Sequence, residues 1–128
     1  MERFSEEWFN KAVEKLKTDE EFQKKGEGFD SSLQLRLLKD QKGNLNKDVA
    51  FGMWLPTCDT SWYGDKPVEE VDIVIEGKAG TFVDVLSGKK NAVIALTMGA
   101  LKLKKGSISK LTGNLGAVNR FLAVLGSV

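Results

Sequence analysis

The 128-residue sequence contains no histidine and a single cysteine, Cys58. Without histidine the chain lacks the commonest general base and the commonest metal ligand. Ser-His and Cys-His nucleophilic pairs are excluded, and one cysteine alone makes neither an internal disulfide nor a zinc or copper site. Carboxylate chemistry, for instance at Asp84, stays open but has no motif pointing to it. No apolar run approaches the ~20 residues of a bilayer-crossing helix. The opening MERFSEEWF lacks the basic start and apolar block of a secretion signal. These absences lead us to expect a cytoplasmic, non-catalytic protein with no metal and no cofactor.

Acid is missing from a large part of the chain. Residues 1–84 hold all eighteen Asp and Glu against twelve Lys and Arg, a balance of −6. Residues 85–128 hold Lys89, Lys90, Lys102, Lys104, Lys105, Lys110 and Arg120 with no acid, a balance of +7 that brings the total to +1. Such a split suits an anionic partner near the C-terminal half, or a solvated basic rim that complements the acidic half. Hydrophobic content of 41% and charged content of 29% are those of a globular chain, and residues 1–128 read as one domain.

Hydrophobic spacing divides the chain into elements. Ser5 is placed to cap a first helix, with Glu6 and Glu7 at its positive end, Phe4 set to staple onto Phe9, and Trp8, Ala12, Val13 and Leu16 as its apolar stripe. Thr18-Asp19-Glu20-Glu21 reads as a capping box for a second short helix ending at Gly26. Leu33, Leu35 and Leu37 alternate with Gln34 and Arg36, as in a half-buried strand. After a turn at Asp40 to Asn44, Val49, Phe51, Met53 and Leu55 alternate again and complete a hairpin. Pro56 to Pro67 is a polar loop or short irregular strand, with Trp62 and Tyr63 packing it down or covering an opening.

VDIVI, residues 71–75, is a third strand rich in β-branched residues, broken by Gly77 and Gly80. Phe82, Val85 and Leu86 recur at helical spacing up to Gly88. Asn91 caps a helix through Met98, with Gly99 as its C-terminal glycine. Leu101 and Leu103 then alternate with Lys102 and Lys104 as a strand, and Gly106 marks a bulge or bend before Ser107-Ile108-Ser109. The final helix, Asn114 to Val128, carries Leu115, Val118, Leu122 and Leu125 on one stripe and Ala117, Phe121 and Val124 on another. A helix apolar over most of its circumference must be covered on more than one side. The order of elements predicts an α+β domain with a mixed, largely antiparallel sheet under helices.

Other patterns carry little chemistry. Ser87-Gly88-Lys89-Lys90 lacks phosphate-loop spacing, and Glu69, Glu70 and Asp72 read as solvent-facing rather than metal-binding. Lys102, Lys104 and Lys105 have no interleaved stacking rings, so no nucleic-acid partner is expected.

The stretch SGKKNAVIALTMGALKLKKG, residues 87–106, together with VDIVI, Phe82, Val85 and Leu86 and the later Gly113-Asn114-Leu115-Gly116, resembles the sterol carrier protein (nonspecific lipid-transfer) domain. The N-terminal helices and LQLRL fit the same order, so the likeness spans nearly the whole chain. Two segments depart from the family pattern: Pro56–Pro67 is larger than its usual turn, and Ser107-Ile108-Ser109-Lys110 is additional. Both are candidates for the surroundings of a cavity opening.

The resemblance implies five strands with helices over one face and an apolar tunnel between. Its candidate lining is Phe82, Leu86, Met98 and Leu101, with Leu103, Phe121, Leu122 and Leu125. Such a protein needs no catalytic group. Each methylene leaving water gains ~0.8 kcal/mol, so a chain of about fifteen faces on the order of 12 kcal/mol when crossing water unaided. Lys89, Lys90, Lys102 and Lys104 are candidates to meet anionic headgroups or the phosphates of a fatty acyl-coenzyme A. The expected partner is a lipid or fatty acyl-coenzyme A, with transient contact at an anionic membrane surface. The alternative is a protein-interaction module or homodimer that buries the last helix, with no lipid.

Overall fold

In the computed structural model, which describes residues 2–128, the Ser5 hydroxyl accepts from the Trp8 amide and starts α1 (Glu6–Thr18). Phe4 sets its ring edge-on to Trp8, while Trp8 and Phe9 both reach Phe51 of the sheet. The second cap lies one residue later than the sequence spacing predicts. Asp19, not Thr18, accepts from the Phe22 amide at 2.8 Å and starts α2 (Glu20–Lys25). The Thr18 hydroxyl instead donates back to the Glu14 carbonyl, a bond open to any Thr in a final helical turn.

Asp19 has a second task. Its carboxylate accepts from Arg120 Nε at 2.8 Å and Nη2 at 2.7 Å, tying the start of α2 to the last helix. The Arg120 hydrogen bonds, helped by the Phe22 amide, hold the carboxyl at about 2, below its ordinary value of 3.8. A depressed carboxyl contributes stability that is present above about pH 4 and disappears as pH falls toward 2. Asp19→Asn keeps a capping oxygen but loses the charge. We expect it to lower stability by about 1–2 kcal/mol at pH 7 and to flatten the acid limb of a denaturation series between pH 4 and 2.

The sheet contains β1 (Ser31–Leu38), β2 (Val49–Leu55), β3 (Ser61–Tyr63), β4 (Ile73–Lys78) and β5 (Leu101–Lys105). Their order is β3-β2-β1-β4-β5, with β1 and β4 parallel and every other pair antiparallel. Between β4 and β5 run α3 (Ala79–Leu86) and α4 (Ala92–Met98), and after β5 come α5 (Ile108–Thr112) and α6 (Leu115–Gly126). The expected α+β class and five-stranded mixed sheet are what the chain forms.

The strand order makes the chain cross behind β1 on its way from β3 to β4, and this explains a burial the alternation did not predict. Gln34 is 0% exposed although it faces away from the helices. Its Oε1 accepts from Trp62 Nε1 at 2.9 Å and from the Lys66 amide at 2.8 Å, and its Nε2 donates to the Lys66 carbonyl at 3.0 Å. Arg36 adds a 2.6 Å bond from Nε to Asp65. Thus β1 is covered on both faces, and Trp62 packs the loop down. Tyr63 does likewise, donating from its hydroxyl to the Phe4 carbonyl at 2.7 Å.

Two glycines do not break β4 as the sequence suggests. Gly77 stays in the strand, paired with Leu37 and Leu101, and the position favours glycine because a Cβ would lie 2.5 Å from Leu101 Cδ2. Gly80 sits in the first turn of α3 and donates its amide to Asp40 Oδ2 at 2.9 Å. Gly106 does bend the chain, at φ +102°, but a register shift falls on its partner strand between Val74 and Ile75. Beyond it, Ser107 accepts from the Lys110 amide and opens α5, in a stretch to which the sequence spacing assigned no element. Five residues are too few for helical periodicity to show.

Candidate functional site

Strand alternation decides which side chains face the helices. The parallel register sets Leu33 beside Ile73 and Leu35 beside Ile75, all on one face, and Leu101 joins them across Gly77. Above this floor lie Phe82 and Val85 of α3, Ala92, Val93 and Leu96 of α4, and Ala117, Val118, Phe121 and Leu122 of α6. Phe22, Phe29, Leu55 and Leu111 complete the wall. The layers enclose a cavity of about 50 Å³ whose lining is entirely apolar.

The size and chemistry of this void set what it can hold. A buried water needs two to four polar partners, and none lines this space, so its walls favour hydrocarbon over water. An apolar cavity of about 150 Å³ admits one benzene. A void of about 50 Å³ therefore takes an acyl chain only if a wall moves. The wall least tied to the core is α4. Of its seven residues only Ala95 is buried, while Ile94 is 61% and Met98 78% exposed. It begins where Asn91 accepts from the Val93 and Ile94 amides, and it lies between Gly88 at φ +83° and Gly99 at φ +85°.

A crystal structure of sterol carrier protein 2 matches over 99% of both chains, with a TM-score of 0.85 and 31% identity. The chain belongs to the sterol carrier protein 2 family. A conserved hypothetical protein from Thermus thermophilus is similar at 30% identity and TM-score 0.82, covering 99% of this chain and 90% of its own. The Aedes aegypti sterol carrier protein 2, solved in complex with palmitate, shares the fold at 14% identity and TM-score 0.61, covering 97% of this chain and 98% of its own. No family profile and no curated protein matches by sequence.

Within this sterol carrier protein 2 fold, the candidate lining residues separate. Phe82, Leu101, Phe121 and Leu122 meet around the cavity. Leu125 is buried but packs in the core away from it, and Leu86 and Leu103 are half-buried beside the core without lining it. Met98 is at the surface, because a seven-residue helix turns its last position outward once Val93 and Leu96 face in. The floor residues Leu33, Leu35 and Ile75 were not among the candidates. Their alternation is plain in sequence, but only the parallel pairing of β1 with β4 brings them together under the helices.

The four candidate lysines do not ring the cavity. Lys89 and Lys90 lie in the turn before α4, with Lys90 paired to Asp84 at 3.7 Å. Lys102 and Lys104 alternate with Leu101 and so project from the opposite face of the sheet, where Lys104 meets Glu76 at 3.6 Å. Segment 56–67 also lies off the cavity: the Pro56 carbonyl accepts from Gln23 of α2, Cys58 and Tyr63 pack into the core, and Trp62, Asp65 and Lys66 cover the back of β1. None of the extra residues 107–110 lines it, but the next residue, Leu111, does.

The last helix finds its cover within the chain. Ala117, Phe121, Val124 and Leu125 are all buried, and Phe121 lies 6.0 Å from the Phe22 ring. Val118 and Leu122 are half-buried and face the cavity, and Leu115 in the first turn is exposed. Elsewhere, burial pushes the Cys58 thiol up to about 11, which keeps it protonated at neutral pH. Among the described residues no cluster of His, Cys, Asp or Glu could hold a metal, and no helix is long and apolar enough to cross a membrane.

Proposed function

We propose that this protein is a cytoplasmic lipid-binding and lipid-transfer module that houses one fatty acyl chain in the space under α4 and performs no chemistry on it. The observation that carries this reading is the wholly apolar cavity roofed by a short helix that exposes Ile94 and Met98 on its outer face. Movement of α4 about Gly88 and Gly99 extends the cavity into a tunnel. Opening exposes apolar surface, and an entering chain offsets it at ~0.8 kcal/mol per methylene. The palmitate complex of the Aedes aegypti relative supports a single-chain ligand. Lys89 and Lys90, at the base of α4, meet an anionic surface while the helix opens, each contributing up to ~1 kcal/mol. Fatty acyl-coenzyme A is a second ligand of the same kind.

The test is displacement of a fluorescent fatty acid from delipidated protein, alongside native mass spectrometry of protein as purified. We expect saturable displacement by C14 to C18 acids and a co-purified mass in the lipid range. Absence of saturable binding by fatty acid, acyl-coenzyme A and phospholipid alike removes the proposal.

A further inference from the structure

Around the cavity, one cation stands without a charged partner. Lys110 lies on α5, and its Nζ donates to the Ser31 hydroxyl and sits 5.4 Å from the centroid of the Phe29 ring. Phe29 lines the cavity, as does Leu111, the residue that follows. Lys110 forms no ion pair among the described residues; Lys89 and Lys102 form none either but do not ring the cavity, and Lys90, Lys104 and Arg120 are paired. Lys105, also on the C-terminal half, has its amine on the Val68 and Glu69 carbonyls. A partly buried ammonium is ordinarily matched by an anion, since a neutral hydroxyl and a ring face compensate only part of its lost hydration.

Ser31 supplies the second half of the argument. It is buried, and its hydroxyl oxygen accepts from Lys110 while its own proton has no acceptor among the described residues. One ammonium and one unspent hydroxyl donor thus stand side by side at the edge of a lining that has no polar group of its own. That pair matches the two oxygens of a carboxylate.

We propose that Lys110 and Ser31 anchor the carboxylate of a free fatty acid whose hydrocarbon lies in the cavity. This rests on the lipid-binding reading above and narrows it to a singly charged, single-chain ligand. One ammonium balances one negative charge, so a headgroup with several charges leaves the remainder uncompensated at this position.

Palmitic acid, methyl palmitate and palmitoyl-coenzyme A titrated into delipidated protein test this. Wild type is expected to bind the acid about tenfold more tightly than the uncharged ester, and no less tightly than the coenzyme A ester. Lys110→Met should weaken the acid about tenfold while leaving methyl palmitate unchanged, and Lys110→Arg should restore most of the difference. If wild type binds acid and methyl ester equally, the anchor is wrong while the lipid-binding reading stands. The anchor is equally wrong if Lys110→Met weakens both to the same degree. If neither ligand binds, the underlying reading fails and the anchor with it. The wild-type comparison needs no variant, so a folding defect in Lys110→Met leaves the test decisive.

Discussion

An Ala117→Phe variant is expected to lose long-chain fatty acid affinity by about a hundredfold while keeping a cooperative thermal transition. Ala117 is buried on α6 and its methyl faces the cavity, so a phenyl ring there fills the void of about 50 Å³ and extends beyond it. Overpacking of this kind costs about 1–3 kcal/mol, which for a domain of this size lowers Tm by roughly 4–12 °C. The ring takes the space of about four methylenes of ligand, or ~3 kcal/mol of transfer energy, and that is the hundredfold. Ala123→Phe, exposed on the outer side of the same helix, controls for helix effects and should leave binding within about twofold. Unchanged affinity in Ala117→Phe means that the acyl chain lies elsewhere.

The largest stability effect is expected from Phe121→Ala. The ring is 4% exposed, packs against Phe22 and lines the cavity, so truncation removes buried contact and enlarges an existing void. The cost should be about 3–5 kcal/mol, a Tm loss of roughly 12–20 °C. Ligand ought to recover part of it, because hydrocarbon then fills space that the ring vacated. At palmitate a hundredfold above its Kd, binding adds about 2.7 kcal/mol to either protein. An enlarged cavity that binds more tightly receives more at the same concentration, so the gap in Tm should narrow on adding palmitate. A gap that stays constant or widens places the ligand away from Phe121.

Much of this architecture is written locally. Ser5, Asn91 and Gly99 mark helix ends through short-range hydrogen bonds and backbone conformation, and the alternating leucines of β1 mark a strand. The apolar breadth of α6 corresponds to two faces, one packed in the core through Val124 and Leu125 and one turned to the cavity through Val118 and Leu122. What escaped depends on contacts between distant residues. Gln34 looks like a solvent-facing strand residue until the crossing from β3 to β4 brings Trp62 and Lys66 over it. Met98 looks like lining until the length of α4 fixes which side faces inward. Lys110 and Ser31 are 79 positions apart, and no spacing rule joins them.

The amide clasp centred on Gln34 bears on how varied a cargo can be. With β1 fastened from behind by Trp62 and Lys66, the sheet acts as a fixed anvil. Shape differences among guests must then be absorbed on the opposite side, where one seven-residue helix hangs between two glycines. Selectivity for length should consequently be graded rather than sharp, each added carbon lifting the helix a little further instead of meeting a rigid stop.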